Sequence, residues 1–105
     1  MAQESVFEIL QKVRSKPGLF LGATSISRLE AFLAGYDSGL ATFKVMLSGY
    51  EAFHDFHQWV ADKLGFSNAT SGWCSMILKH SKNEEDALGR FFELLDEFKS
   101  ERGIK

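Results

Sequence analysis

The run from Ser25 to Leu47 constrains the fold more than any other part of the chain. Leu29, Leu33, Tyr36, Leu40, Phe43 and Leu47 alternate spacings of four and three, the period of one apolar stripe along a helix. Gly35 and Gly39 keep that register, although each costs about 1 kcal/mol against Ala inside a helix. With Ala31, Ser38 and Thr42 they form a second face of small residues, on which the backbone of another helix can lie close. Glu30, Asp37 and Lys44 leave only a narrow polar edge. A helix apolar on one side, small on a second and charged along a strip is expected at the centre of a bundle, over about residues 26–47.

The remaining segments supply the helices around it. Val6, Ile9, Leu10 and Val13 mark one face of a first helix over about residues 4–15, which Pro17 and Gly18 stop. Leu19, Phe20 and Leu21 follow in the connector, and three large apolar residues there are expected to tuck into the core. Ser25, or Ser27 with Glu30 as a capping box, starts the central helix, and Ser48 and Gly49 end it. Phe53, Phe56, Val60 and Leu64 define a third helix over about residues 51–64, with Gly65 as its stop and Trp59 at the edge of its apolar face. A polar loop over 67–71 leads to a short fourth helix with Trp73, Met76 and Ile77 inward. The last helix is capped by Asn83, carries Glu84, Glu85 and Asp86 in its positive first turn, and buries Leu88, Phe91, Leu95 and Phe98. No alternating strand pattern, internal repeat or interdomain linker interrupts this series. The expectation is one all-α domain, residues 1–105, a compact bundle of about five helices.

Composition narrows the functional classes. A hydrophobic fraction of 45% in 105 residues is enough for one core, and ten Phe, two Trp and two Tyr are many aromatics for this length, most of which must be buried and a few of which can be held outside. Some are therefore available to a partner. The net charge of −2 gives no pull toward nucleic acid, and Lys12, Arg14 and Lys16 are the only basic cluster. No direct nucleic-acid contact is expected. With Met1 to Ser5 lacking a basic and apolar leader and no run of 18 apolar residues, neither export nor a membrane partner is expected, and the reading is cytoplasmic.

Chemistry-bearing residues are few. Glu51, His54 and His57 have the Glu-x-x-His spacing of helical di-metal sites, but such sites need a second copy and two further glutamates. His57 falls among Phe53, Val60 and Leu64, which favours a histidine at the core edge with a satisfied ring nitrogen. No metal or cofactor is expected. Cys74, the single cysteine, excludes an internal disulfide, and nothing in the sequence sets a base beside it, so it reads as a small buried thiol. Gly18 and Gly22 beside Lys16 match neither phosphate-loop spacing. No catalytic residue is assigned, and an enzyme is not expected.

Charge does supply one candidate surface. Residues 1–82 carry 8 basic and 7 acidic residues, whereas 83–105 carry 4 basic and 7 acidic. On the last helix Asp86, Glu93 and Glu97 lie opposite the apolar stripe, flanked by Asp96, with Arg90 between them. Clustered charge of one sign speeds association with an opposite partner, so Asp86, Glu93, Asp96 and Glu97 are the candidate partner-binding residues.

Five segments together carry a resemblance: Lys-Pro-Gly-Leu-Phe-Leu-Gly at 16–22, Arg-Leu-Glu-Ala-Phe-Leu-Ala-Gly-Tyr at 28–36, Phe-His-Gln-Trp-Val at 56–60, Gly-Trp-Cys-Ser-Met-Ile at 72–77 and Arg-Phe-Phe-Glu-Leu-Leu-Asp-Glu-Phe at 90–98. The chain resembles small helical immunity proteins of contact-dependent growth inhibition and related polymorphic toxin systems. Members commonly show Arg-Pro-Gly-Met-Tyr-Leu-Gly in the first segment, so Lys16, Leu19 and Phe20 depart from it. The resemblance implies a cytoplasmic, non-enzymatic protein that binds a cognate toxin domain, with basic RNases or DNases among the candidates. The alternative is a helical adaptor that holds a peptide or small ligand in a groove beside Trp59 or Trp73.

Overall fold

A capping box opens the first helix: Ser5 Oγ accepts from the Glu8 N–H at 3.2 Å, and Glu8 Oε1 accepts from the Ser5 N–H at 3.4 Å. The computed structural model describes residues 5–42 and 49–104, and places seven helical segments in them. They are α1 (Val6–Ser15), α2 (Pro17–Leu21), α3 (Ile26–Thr42), α4 (Tyr50–His54), α5 (Phe56–Leu64), α6 (Gly72–Lys79) and α7 (Glu84–Arg102). Among the described residues there is no strand, and no helix is long and apolar enough to cross a membrane. The all-α domain is as expected.

The two segments beyond five have local causes. Lys16 leaves the helical region at φ −143°, as the following proline demands, and Pro17 then starts the single turn of α2. Gly22 closes α2 at φ +76°, and a β-carbon there would meet the Arg28 guanidinium at 2.9 Å. The expected helix over 51–64 is divided at Asp55. Its N–H donates to the Ala52 carbonyl at 3.2 Å, an i−3 bond that tightens the chain by a fraction of a turn before α5 begins.

The connector expectation fails in an informative way. Leu21 is buried, but Leu19 is 73% exposed and Phe20 39% exposed. Consecutive residues on a helix point about 100° apart, so one turn cannot aim three neighbours at the same core.

Among the described residues the central helix is buried along its first half. Ser25 caps α3 as expected, its Oγ accepting from the Arg28 N–H at 3.2 Å, and Ile26, Leu29 and Leu33 are buried. Beyond Leu33 the residues from Ala34 to Gly39 are exposed, Tyr36 included, and Leu40 is half-buried. Phe43 and Leu47 lie outside the described residues. A β-carbon placed on Gly35 or Gly39 would meet nothing within 4 Å, so among the described residues no helix makes the close approach expected on the small face. Helix α3 contacts α2, α6 and α7, and among the described residues α7 supplies the longer buried stripe. Helix α7 buries Ala87, Leu88, Phe91, Phe92, Leu95 and Phe98 and contacts α3, α5 and α6.

The core is aromatic at its middle. Phe56 stacks on Phe53 with ring centroids 5.5 Å apart and meets Phe91 and Phe98 edge-on at 5.5 and 5.3 Å. Trp73 lies 4.8 Å from Phe91. Such pairs add roughly 0.5–1.5 kcal/mol each to what burial alone contributes. Their rigid rings thereby fix α5, α6 and α7 relative to one another.

Candidate functional site

The four acids of the last helix are not one open surface. Asp96 faces α1, where Arg14 donates to both its oxygens at 2.9 and 3.0 Å. Glu97 pairs with Lys63 of α5 at 2.9 Å. Asp86 accepts from the Lys82 N–H at 2.9 Å and from Arg90 Nε at 3.4 Å, and the first of these bonds leads in holding its carboxyl below the usual carboxylate range. Glu93 shares a cleft of about 200 Å³ with Leu64, Ile77, His80, Arg90, Leu94 and Glu97. Arg90 is therefore not the sole counter-charge: Arg14 and Lys63 reach α7 from helices distant in sequence. Exposed pairs of this kind add little stability, but they cancel much of the field that the acids would otherwise project.

A second cleft, of about 180 Å³, opens between α3, α4, α5 and α6. Leu33, Phe53 and Trp73 close its floor, and Glu30, Ala34, His54 and His57 border it. His57 Nδ1 accepts from the Trp73 N–H at 3.3 Å, which puts the proton of the neutral ring on Nε2. Burial and then the neighbouring His54 push the His57 pKa down. This is the satisfied core-edge histidine that the sequence suggests. Glu51 is not part of the cleft, and among the described residues no three acidic, histidine or cysteine side chains are gathered to hold a metal ion.

Cys74 is buried, and its thiol is pushed up to about 11, first by burial and then by the Glu30 carboxylate. A thiol raised in this way favours its protonated form at neutral pH, the less nucleophilic one. Trp59 is half-buried and donates from Nε1 to Glu101 at 3.1 Å, in an open depression with Asp62 and Lys63. Of the two tryptophans, Trp73 borders the deeper groove.

A third surface was not anticipated. Phe20 of α2 meets Phe32 of α3 edge-on at 6.3 Å, and Phe32 meets Tyr36 at 6.0 Å. These rings form an apolar strip, next in the chain to Leu19, and among the described residues Leu19, Phe20 and Tyr36 are the large hydrophobics left exposed. Lys16 lies at one end of α2. At the other Arg28 donates to the Leu21 carbonyl at 3.0 Å. The sequence signal was the Leu-Phe-Leu triplet itself, confined between Pro17 and Gly22 to one turn.

Comparison of the chain with known protein families, with curated proteins and with solved structures finds no match in any of the three.

Proposed function

We propose that this protein binds a cognate toxin domain and neutralises it in the cytoplasm, the role implied by its resemblance to immunity proteins of contact-dependent growth inhibition. The observation that carries the reading is the strip Phe20–Phe32–Tyr36, with Leu19 next to it in the chain. A contiguous apolar patch on a small domain is unfavourable in water and marks a place where a partner docks. Exposed aromatics dominate the energetics of such contacts, and the cations Lys16 and Arg28 beside the strip select the partner's orientation. The α7 acids take a subsidiary part in this reading, with Glu93 and the solvent-facing sides of Asp86, Asp96 and Glu97 meeting basic groups at the margin.

The test is to find whether a secreted exoprotein with a variable C-terminal domain is encoded beside this gene, and to measure protection of cells that express that domain. The wild-type chain protects and co-purifies with the toxin. Leu19→Asp with Phe20→Asp abolishes both while the helical circular dichroism is unchanged, and Glu93→Lys with Glu97→Lys weakens them. If the wild-type chain neither protects nor co-purifies, the reading fails. A second reading, an adaptor for a small ligand, is favoured by the cleft beside Trp73.

A further inference from the structure

The cleft beside Trp73 has a floor of three nearly closed apolar side chains and one fixed charge at its mouth. Leu33, Phe53 and Trp73 are no more than 4% exposed, so the floor excludes water from whatever reaches it. Ala34, one turn along α3 from Glu30, is small and leaves the space open. Glu30 is exposed, and among the described residues no cation forms an ion pair with it. Its carboxylate is felt by both His57 and Cys74, which places its field across the cleft and into the wall behind.

Among the residues that line the cleft Glu30 is the carboxylate. His57 is engaged at Nδ1 by the Trp73 N–H and is favoured in its neutral form, so at neutral pH it supplies a donor and no charge. The His54 ring lies beside it, with centroids 6.2 Å apart. Asp37 stands two turns beyond Glu30 on the same edge of α3, adding negative charge to the approach. An anion is repelled by this arrangement. A divalent metal finds too few ligands. A neutral apolar molecule gains the floor but leaves the carboxylate at the rim without a cation of its own.

We propose that this cleft binds the end of an organic cation, a short alkyl chain carrying a guanidinium or ammonium group, with the chain on Leu33, Phe53 and Trp73 and the charge against Glu30. The carboxylate lies beside a low-dielectric wall, where its attraction is less screened than on an open surface. A planar guanidinium fits it best, because two parallel N–H groups can address both oxygens. The site is independent of the toxin reading: Glu30 and Phe32 stand on different edges of α3, and either surface can fail without the other.

The experiment is an NMR titration of the isotope-labelled full chain with n-butylguanidinium at pH 7.5 and low salt, the Trp59 and Trp73 indole signals being assigned with Trp59→Phe. The Trp73 indole and the His57 ring shift saturably while the Trp59 indole stays in place. The uncharged analogue n-butylurea leaves all three unmoved. Glu30→Gln, an exposed change that keeps the circular dichroism, weakens binding about tenfold. A capped pentapeptide with a single central arginine separates the two sources of this chemistry: tighter binding than n-butylguanidinium assigns the cleft to a protein side chain, weaker binding to a free small molecule. No shift at Trp73 with any cation, equal shifts with n-butylurea, or unchanged affinity in Glu30→Gln overturns the proposal.

Discussion

Ser25 Oγ donates to Glu84 Oε1 at 2.7 Å, joining the first turns of two helices 59 residues apart in sequence. The same carboxylate accepts from the Ser27 N–H at 2.9 Å and from the Ser27 hydroxyl at 2.8 Å. One negative charge thus serves the positive ends of both α3 and α7, and hydrogen bonds from Ser27 and Ser25 hold the Glu84 carboxyl below its ordinary value of 4.5.

Glu84→Gln is therefore expected to destabilise the fold by about 1–2 kcal/mol at pH 7, the loss of charge-assisted hydrogen bonds discounted for a partly solvated site. The sign of its pH dependence follows from a depressed folded-state pKa. The stabilisation is complete above the unfolded value of 4.5 and is lost as pH falls through the lower folded value. Urea denaturation of both proteins at pH 7 and pH 3 checks this: the gap between them narrows in acid. A gap of constant size would show that the charge contributes nothing.

His57 gives a second acid-sensitive point, at higher pH. Its neutral Nδ1 accepts from the Trp73 N–H at the start of α6, and protonation converts that acceptor into a donor facing another donor. With the folded pKa below 6.5, the unfolded chain binds the proton more readily, so stability falls as pH drops below 6.5 toward the folded value. Thermal melting between pH 7.5 and 5 is expected to show this slope in the wild type. In His57→Gln the part due to this ring disappears.

Leu19 and Leu21, two residues apart, should respond oppositely to the same change. Leu19→Ser is expected to alter stability by less than about 0.5 kcal/mol, as for an exposed surface position. Leu21→Ser removes a buried side chain and buries a hydroxyl, costing roughly 2–4 kcal/mol. Denaturant midpoints of the two variants measure the difference, and equal losses would place Leu19 in the core.

This pair also marks how far the sequence could be read. The helix-forming segments, the Asn83, Ser25 and Gly65 caps and the buried stripe of α7 were legible, because caps and apolar period act within one or two turns. What failed was the choice among several apolar faces. The stripe through Leu29, Leu33 and Tyr36 has the right period at every step, yet Leu29 and Leu33 are buried while Tyr36 is exposed. How far along a helix its apolar stripe is covered depends on packing between segments, and local spacing carries no record of it. The ion pairs of the α7 acids were hidden for the same reason. Their counter-charges Arg14 and Lys63 come from α1 and α5, 82 and 34 positions away in the chain. The cleft beside Trp73 was legible only as a groove next to a tryptophan, since Glu30 reaches it from α3.

The open face of α3 provides the last test. Gly35 and Gly39 sit within the helix, and a methyl group at either position enters empty space. Gly35→Ala and Gly39→Ala are thus each expected to stabilise the protein by about 0.5–1 kcal/mol, through higher helix propensity and a less flexible unfolded chain. Thermal or urea unfolding measures this directly. A stabilising change that leaves toxin protection intact shows that the small face serves no partner. If stability rises and protection falls, the glycines are kept at a cost to the fold because a partner's backbone approaches them in the complex, and the docking surface then extends from Phe20 and Tyr36 across that face.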